Sequence, residues 1–374
     1  MYWSCAFIED KHMHIHLVAG ARPNFMKIAP LARALDARPE LTYSIVHTGQ
    51  HYDQNMSDVF FRELGIRQPD FHLGAGGGSH ARQTARIMTA FEDVCLEHRP
   101  DMVLVVGDVD STLACSVVAK KLKIAVAHVE AGLRSFDLDM PEEINRMVTD
   151  AISDYFFVTE EEGEANLLRE GKDPNRVHFV GHVMIDNLFY QLGQLERTDC
   201  LAFATSAFKA RHAEYGVVTL HRPSNVDDAE TLGRIFTALN DVSGKLPLIF
   251  PIHPRTRANM ERFGLTPASG IHLAEPLPYM EFLHLWKDAR VVLTDSGGLQ
   301  EETTALGIPC LTVRENTERP ITVSVGTNAL VGTSVEAITS SAEKILSGKW
   351  KTGQQPRLWD GKAAERICDV LAAC

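Results

Sequence analysis

Short apolar runs recur along the chain, separated by stretches with helical spacing. The first series reads "IHLVAG" (15–20), "YSIVHTG" (43–49), "MVLVVGD" (102–108), "IAVAHVE" (124–130), "YFFVTE" (155–160) and "VHFVGH" (177–182). Each run is a nearly continuous hydrophobic block rather than an apolar-polar alternation, as expected of strands covered on both faces, and stretches such as 27–38 and 112–122 repeat with helical period between them. A parallel sheet layered between helices is therefore predicted. The pattern restarts at "GVVTLH" (216–221) and continues through "PLIFPIH" (247–253), "IHLAE" (271–275), "RVVLTD" (290–295), "PCLTV" (309–313) and "NALVG" (328–332), with helices at 228–243, 279–286, 297–306 and 335–347. The result is an α/β protein of two Rossmann-like doubly wound domains facing each other across a cleft, over 1–185 and 186–355, joined near 183–215. A last helical stretch at 361–374, within the segment 356–374, belongs to neither repeat and is expected to pack back on the first domain. Residues 1–12 read as an extension ahead of the first strand.

Composition narrows the class of function. The 374 residues exceed one ordinary core. Thirty-seven basic against 49 acidic residues give a net charge of -12, which argues against nucleic acid or an anionic membrane as main partner. The seven cysteines are scattered without C-x-x-C pairs, so neither a disulfide framework nor a zinc knuckle is expected. The opening "MYWSCAFIEDKHMHIH" lacks the charged and apolar regions of a signal peptide, and no run approaches the roughly 18 apolar residues of a spanning helix. A cytoplasmic location is expected.

In such folds ligands meet the carboxyl ends of the strands, so the residues just after each apolar run carry the candidate chemistry. "GARPNFMK" (20–27) offers a tight turn at Gly20, the planar donor fork of Arg22, and Lys27; the bland reading is a helix entry with two exposed cations. "DVDST" (108–112) follows the third run. Its D-x-D spelling also occurs in metal-dependent glycosyltransferases, but a helix cap accounts for Asp110, and no metal is expected; Asp108, at the strand tip, is the functional candidate. Glu130 in "HVEAGLR" ends a buried strand, where a carboxylate is desolvated unless it meets a cation or a ligand hydroxyl. Glu142 and Glu143 open a helix after Pro141, and Glu143 reads mainly as a charge complementing the helix dipole. "LHRPSN" (220–225) and "PIHPRT" (251–256) each place a histidine and then an arginine at a strand end, His221 with Arg222 and His253 with Arg255, both expected to face the cleft.

The stretch "DSGGLQEE" (295–302) places Ser296, Gly297 and Gly298 at a helix start whose open N–H groups suit a phosphate. Glu302 lies one turn on, about 6 Å along the axis, the span from a nucleotide's phosphates to its ribose. Asp295 is expected to support the turn and Glu301 to point elsewhere. Arg319 follows on the loop "ENTERP" (315–320). Cations and a helix N-terminus suit a diphosphate, while carboxylates suit sugar hydroxyls or proton transfer at carbon. Together they point to a nucleotide sugar.

As a set, "GARPNFMKIAPL", "TGQH", "GDVDSTLA", "HVEAGLRS", "MPEEINR", "LHR", "DSGGLQEE" and "TERP" resemble, in this order and over nearly the whole chain, the non-hydrolysing UDP-N-acetylglucosamine 2-epimerase family. The resemblance implies a GT-B-like fold, a homodimer, no cofactor such as NAD and no metal. It implies interconversion of UDP-N-acetylglucosamine and UDP-N-acetylmannosamine by loss of the C2 proton and of UDP from C1, a bound 2-acetamidoglucal, and re-addition. Residue by residue, it assigns Asp108, Glu130 and Glu142 as catalytic carboxylates, His221 as the histidine near the diphosphate, and Arg22 and Lys27 as phosphate-side cations. It further assigns Ser296, Gly297 and Gly298 as the diphosphate cradle, Glu302 as the ribose acid, Arg319 as a nucleotide contact, and Leu277 and Phe282 as uracil-side residues. The chain departs from the commonest spellings at "GARPN", "LHRPSN" and "ERPI". "QHYDQNM" (50–56) lacks the arginine that accompanies a second, regulatory UDP-N-acetylglucosamine site in bacterial members. A C2 epimerase of another UDP-sugar such as a diacetamido uronic acid, a hydrolysing epimerase, a GT-B glycosyltransferase and a non-catalytic UDP-sugar sensor are the alternative readings.

Overall fold

The computed structural model describes residues 12–49 and 58–374. The expected extension up to residue 11 and the segment "QHYDQNM" fall outside the described residues. The chain divides into two compact units, one running to Asn187 and including Leu358–Cys374, the other Leu188–Arg357.

In the first unit strands and helices alternate as β1 (Met13–Ala19), α1 (Arg22–Asp36), β2 (Leu41–His47), α2 (Asp58–Leu64), β3 (Phe71–His72), α3 (His80–Glu97), β4 (Met102–Val106), α4 (Asp110–Lys121), β5 (Ala125–Val129), α5 (Pro141–Ile152), β6 (Tyr155–Val158), α6 (Glu161–Arg169) and β7 (Val177–Phe179). The seven strands are ordered β3-β2-β1-β4-β5-β6-β7, with every pair parallel. Val18, Val46, Val103, Val105 and Val126 pack on one side against Ile87 and Phe91 of α3 and Cys115 and Val118 of α4. These runs are hydrophobic throughout because both faces of the sheet are covered.

Helix α7 (Val183–Leu195) leads into α8 (Ser206–Arg211), β8 (Gly216–Thr219), α9 (Pro223–Val226), α10 (Ala229–Ser243), β9 (Leu248–Pro251), α11 (Pro254–Arg262), β10 (Ile271–Ala274), α12 (Tyr279–Trp286), β11 (Val291–Thr294), α13 (Gly297–Leu306), β12 (Cys310–Thr312), α14 (Pro320–Ser324), β13 (Asn328–Leu330) and α15 (Val335–Leu346). The second sheet is also parallel, in the order β10-β9-β8-β11-β12-β13. The last helix, α16 (Ala363–Ala372), packs on α1, and the Asp186 carboxylate accepts the N–H groups of Ala363 at 3.1 Å and Ala364 at 2.7 Å at its start. No helix among the described residues is long and apolar enough to cross a membrane.

The predicted pattern of two doubly wound sheets is what the chain forms, with one systematic difference at the strand ends. β4 stops at Val106 and β5 at Val129, because Gly107 and Glu130 both take φ of +68°, which no ladder accommodates. Asp108 and Glu130 thereby leave the sheets and enter the turns above them. In each sheet the order reverses beside the first strand, between β1 and β4 and between β8 and β11, the place where such folds hold ligands.

His16 on β1 is fully buried, and neither ring nitrogen has a hydrogen-bond partner. Burial, with smaller contributions from His14 and His98, lowers its pKa to about 4. The folded chain therefore binds this proton less readily than the unfolded chain. Its contribution to stability is complete above pH 6.5 and is lost as pH falls from 6.5 towards 4, by about 3 kcal/mol. His16→Phe, which keeps the ring contacts to Phe71 and Phe91, is expected to flatten that slope in denaturant titrations from pH 7 to 4. An unchanged slope would refute it.

Candidate active site

In the first unit, α1 begins immediately after β1, so Arg22 stands exposed at its first residue and Lys27 lies one and a half turns on. Asn24 secures this entry: its Oδ1 accepts from the N–H of Ala21 at 3.0 Å and Gly20 at 3.3 Å, and its Nδ2 donates to the Val106 carbonyl at 3.3 Å. Lys27 Nζ reaches Glu130 Oε2 at 2.5 Å, and the Glu130 side chain is 1% exposed. The pair passes over Gly107, where an added Cβ would lie 2.8 Å from Lys27 Nζ and 3.6 Å from Glu130 Oε2. Gly107 is thus required both by its positive φ and by this close approach. Glu130 holds its left-handed backbone with no such freedom, a strain of about 1–3 kcal/mol that surrounding contacts must offset and that is commonly found at functional positions.

Asp108 pairs with the Arg146 guanidinium, which also contacts Glu143 Oε2 at 3.3 Å. Asn145 donates to the Asp108 carbonyl at 3.0 Å and to Asp110 at 3.2 Å. Two expectations need correction here. Asp110 is not a cap, since α4 begins at it with Val109 as the N-cap residue; its buried carboxylate accepts from His80 Nδ1 and Gln83 Nε2, each at 2.9 Å. Glu143 is not a solvated helix-start charge either. It is 1% exposed and accepts from Ser135 N at 2.9 Å, Ser135 Oγ at 3.0 Å and Phe136 N at 3.2 Å, bracing the loop after β5. Glu142, its neighbour, is exposed and accepts no hydrogen bond from the described residues. Because Glu143→Gln sets an amide against three donors and strips Arg146 of a buried counter-charge, it is expected to cost about 3 kcal/mol in a denaturant titration. A midpoint equal to that of the parent would show the loop is held otherwise.

In the second unit, Asp295 follows β11 and is fully buried. It accepts from the N–H of His221 at 3.0 Å and of Arg222 at 2.9 Å, and its Oδ1 lies 2.9 Å from His221 Nδ1. Burial pushes this carboxyl up, yet the His221 ring and the two backbone donors outweigh burial and hold it below the usual carboxylate range. Arg222 Nε donates in turn to the Asp295 carbonyl at 3.1 Å. Helix α13 starts at Gly297, with Ser296 as the N-cap residue, and an added Cβ at Gly297 or Gly298 would meet nothing within 4 Å. No side chain of the first two helical residues screens the first-turn N–H groups, the arrangement that suits a bound anion. Further along, Glu302 accepts from Tyr279 Oη at 2.9 Å, which sets α12, carrying the half-buried Phe282 and preceded by Leu277, beside that end of α13.

Glu301 does not simply point away: it forms an ion pair with Arg319 Nε. Gln300 is fully buried and ties the helix to the following loop, donating to Ser296 O at 3.1 Å while accepting from Thr317 Oγ1 at 2.7 Å and Asn328 Nδ2 at 3.1 Å. His253 and Arg255 do not repeat the His221 arrangement. His253 is the N-cap residue of α11, accepting from Arg255 N at 3.2 Å, and Arg255 pairs with Asp227. Its pairing is local, so it has no buried carboxylate like Asp295 to aim its ring.

Asp110 accepts three donors from other elements, and among the described residues no three of His, Cys, Asp and Glu are gathered as they would be to hold a metal ion. What the two units do hold is a cation-paired buried carboxylate beside a second, arginine-paired one, and a carboxylate-oriented histidine at an open helix start. The first set suits proton transfer at carbon and the second suits a diphosphate.

Comparison with known proteins identifies one family. The family model described as UDP-N-acetylglucosamine 2-epimerase matches residues 33–372. A UDP-N-acetylglucosamine 2-epimerase of Methanocaldococcus jannaschii is 42% identical over 96% of this chain and 99% of its own. A UDP-2,3-diacetamido-2,3-dideoxy-D-glucuronate 2-epimerase of Pseudomonas aeruginosa is 40% identical over 96% and 99%. The crystal structure of the Methanocaldococcus jannaschii UDP-GlcNAc 2-epimerase in complex with UDP-GlcNAc and UDP superposes with a TM-score of 0.83 at 42% identity, covering 97% of this chain and 100% of that one. With the family matched from the first helix to the last and the paired sheets of a GT-B-like fold in place, this chain belongs to the UDP-N-acetylglucosamine 2-epimerase family and is an isomerase, a UDP-sugar 2-epimerase.

Proposed function

We propose that the chain interconverts UDP-N-acetylglucosamine and UDP-N-acetylmannosamine by elimination and re-addition. A carboxylate removes the C2 proton, the C1–O bond breaks with its electron pair leaving on UDP, and a 2-acetamidoglucal remains bound. UDP then adds back at C1 while a proton returns to the other face of C2. Nothing is oxidised or reduced overall, so the scheme calls for no NAD. The observation that carries it is the buried Glu130 held against Lys27 at 2.5 Å in a left-handed turn next to the β4 tip. A glycosyl transfer needs a diphosphate site but has no use for that pair.

Asp108, Glu130 and Glu142 are assigned to proton transfer at C2, with Lys27 and Arg22 countering negative charge beside them. His221, Arg222, Ser296, Gly297 and Gly298 are assigned to the diphosphate, Glu302 to the ribose, Leu277 and Phe282 to the uracil, and Arg319, aimed by Glu301, to the nucleotide. Support for the substrate comes from the 42% identical relative. A diacetamido uronate is the second reading, favoured by the relative at 40%. Incubating a panel of UDP-sugars in deuterated water and following C2 by NMR separates them: deuterium is expected at C2 of recovered UDP-N-acetylglucosamine and UDP-N-acetylmannosamine. Turnover of the uronate alone would move the assignment to it, and free sugar released with stoichiometric UDP would make the enzyme hydrolysing.

A homodimer is part of the same proposal. The exposed apolar Ile144, Met147 and Val148 at i, i+3 and i+4 on α5, with Phe136 and Leu138 on the preceding loop, support a second copy as occupant. Sedimentation velocity checks it, and a monomer at micromolar concentration would refute it.

A further inference from the structure

Glu130 occupies a conformation that its own residue type disfavours, so something must impose it. The segment around it is gathered onto one side chain. Asp150, fully buried near the end of α5, accepts from Gly132 N at 3.0 Å and Arg134 NH1 at 2.7 Å on Oδ2, and its Oδ1 lies 2.7 Å from His128 Nδ1. Residues 128, 132 and 134 flank Glu130 on both sides. The other nitrogen of His128, Nε2, lies 2.8 Å from the carbonyl of Gly107, the residue before Asp108. A carbonyl only accepts, so Nε2 donates there, and the ring becomes a rigid strut between the turn after β5 and the turn after β4.

The surroundings allow little alternative. Gly132 takes φ of +79°, and an added Cβ would lie 2.2 Å from Gly163 O, so this turn cannot relax by moving outward. The N–H groups of Glu130 and Ala131 both point at Phe157 O, at 3.0 and 3.2 Å. Burial would push Asp150 up, but the His128 ring and the Arg134 guanidinium outweigh it and keep the carboxyl below its usual range. Arg134 is held from its far side by Glu170, at 2.9 and 2.7 Å.

We propose that Asp150 is the positioning residue for C2 chemistry: acting through His128, Gly132 and Arg134, it fixes the left-handed turn that aims Glu130 and the β4 tip that carries Asp108. It touches no substrate. The inference rests on the assignment of Glu130 to proton transfer, so Glu130→Gln is measured beside it.

Asp150→Asn keeps the volume but removes one acceptor and the charge that His128 and Arg134 face. In the full-length chain, kcat and the rate of C2 deuterium uptake are expected to fall together by about a hundredfold, with KM and the Kd for UDP within about threefold of the parent. Glu170→Gln, which trims only the outer side of Arg134, is expected to leave kcat within about twofold. A merely structural role would lower the melting temperature while folded molecules kept their kcat. Folded Asp150→Asn with kcat within about twofold of the parent, alongside a collapsed Glu130→Gln, would overturn the inference and leave the assignment of Glu130 intact. If Glu130→Gln itself retained kcat, the assignment would fall and the inference with it. Should Asp150→Asn fail to fold, His128→Gln decides: its amide can still donate to Gly107 O but no longer reaches Asp150, the same loss is expected, and an unchanged kcat would overturn the proposal.

Discussion

Glu130→Gln is expected to lower kcat about a thousandfold, roughly 4 kcal/mol in the barrier, with the Kd for UDP nearly unchanged. The substitution is close to isosteric, and the amide oxygen can still accept from Lys27, so the pair at 2.5 Å survives in shape. What is lost is the ability to take or return a proton. Glu130 is buried at 1% exposure, so bulk water offers no substitute base at that position. Lys27 keeps its charge but loses the negative partner that compensates it, and any weakening of substrate binding from this is expected to be small beside the loss in turnover. The measurement is C2 deuterium uptake from solvent under saturating substrate. Uptake at the parent rate with kcat reduced would place Glu130 at a step other than proton transfer.

The apolar runs made both sheets legible because the strands are covered on both faces, so each strand announces itself as a block. Strand order was not legible in the same way. Lys27 and Glu130 are 103 residues apart and meet only because β1 lies beside β4 and β4 beside β5. The sequence brought each of them to a strand tip without showing that the two tips adjoin. Arg146 sat in the quoted stretch "MPEEINR" yet carried no signal of its own, since its value lies in reaching Asp108 38 positions away. Glu143 misled for the opposite reason: an acid in a first helical turn has a sufficient local explanation, and only burial under Ser135 and Phe136 shows that the explanation is incomplete. His253 likewise looked like His221 in one dimension, and what separates them is Asp295, contributed by another strand. His80 and Gln83 could have been sought as partners for Asp110 once its carboxylate was known to be buried, but burial of one carboxylate is not a property of its neighbours in sequence.

His221→Ala is expected to reduce kcat by about a hundredfold or more and to weaken UDP binding, because the proposed assignment sets the ring against the leaving diphosphate. Asp295 accepts rather than donates, so His221 Nδ1 carries a hydrogen towards it and Nε2 is left for the ligand. Asp295→Asn should therefore act through the ring. The remaining amide oxygen can keep the backbone N–H groups of His221 and Arg222 in place, while the amide nitrogen turns a donor towards Nδ1 and disfavours the tautomer in use. A loss approaching that of His221→Ala is expected, about tenfold to a hundredfold in kcat. The decisive measurement is the double variant. If Asp295 works by orienting His221, adding His221→Ala to Asp295→Asn removes little more activity, since the ring was already misdirected, and the two losses are far from additive. Fully additive losses would mean that Asp295 supports the diphosphate site by a route other than this ring, most directly through Arg222, whose N–H and guanidinium both bond to the same residue.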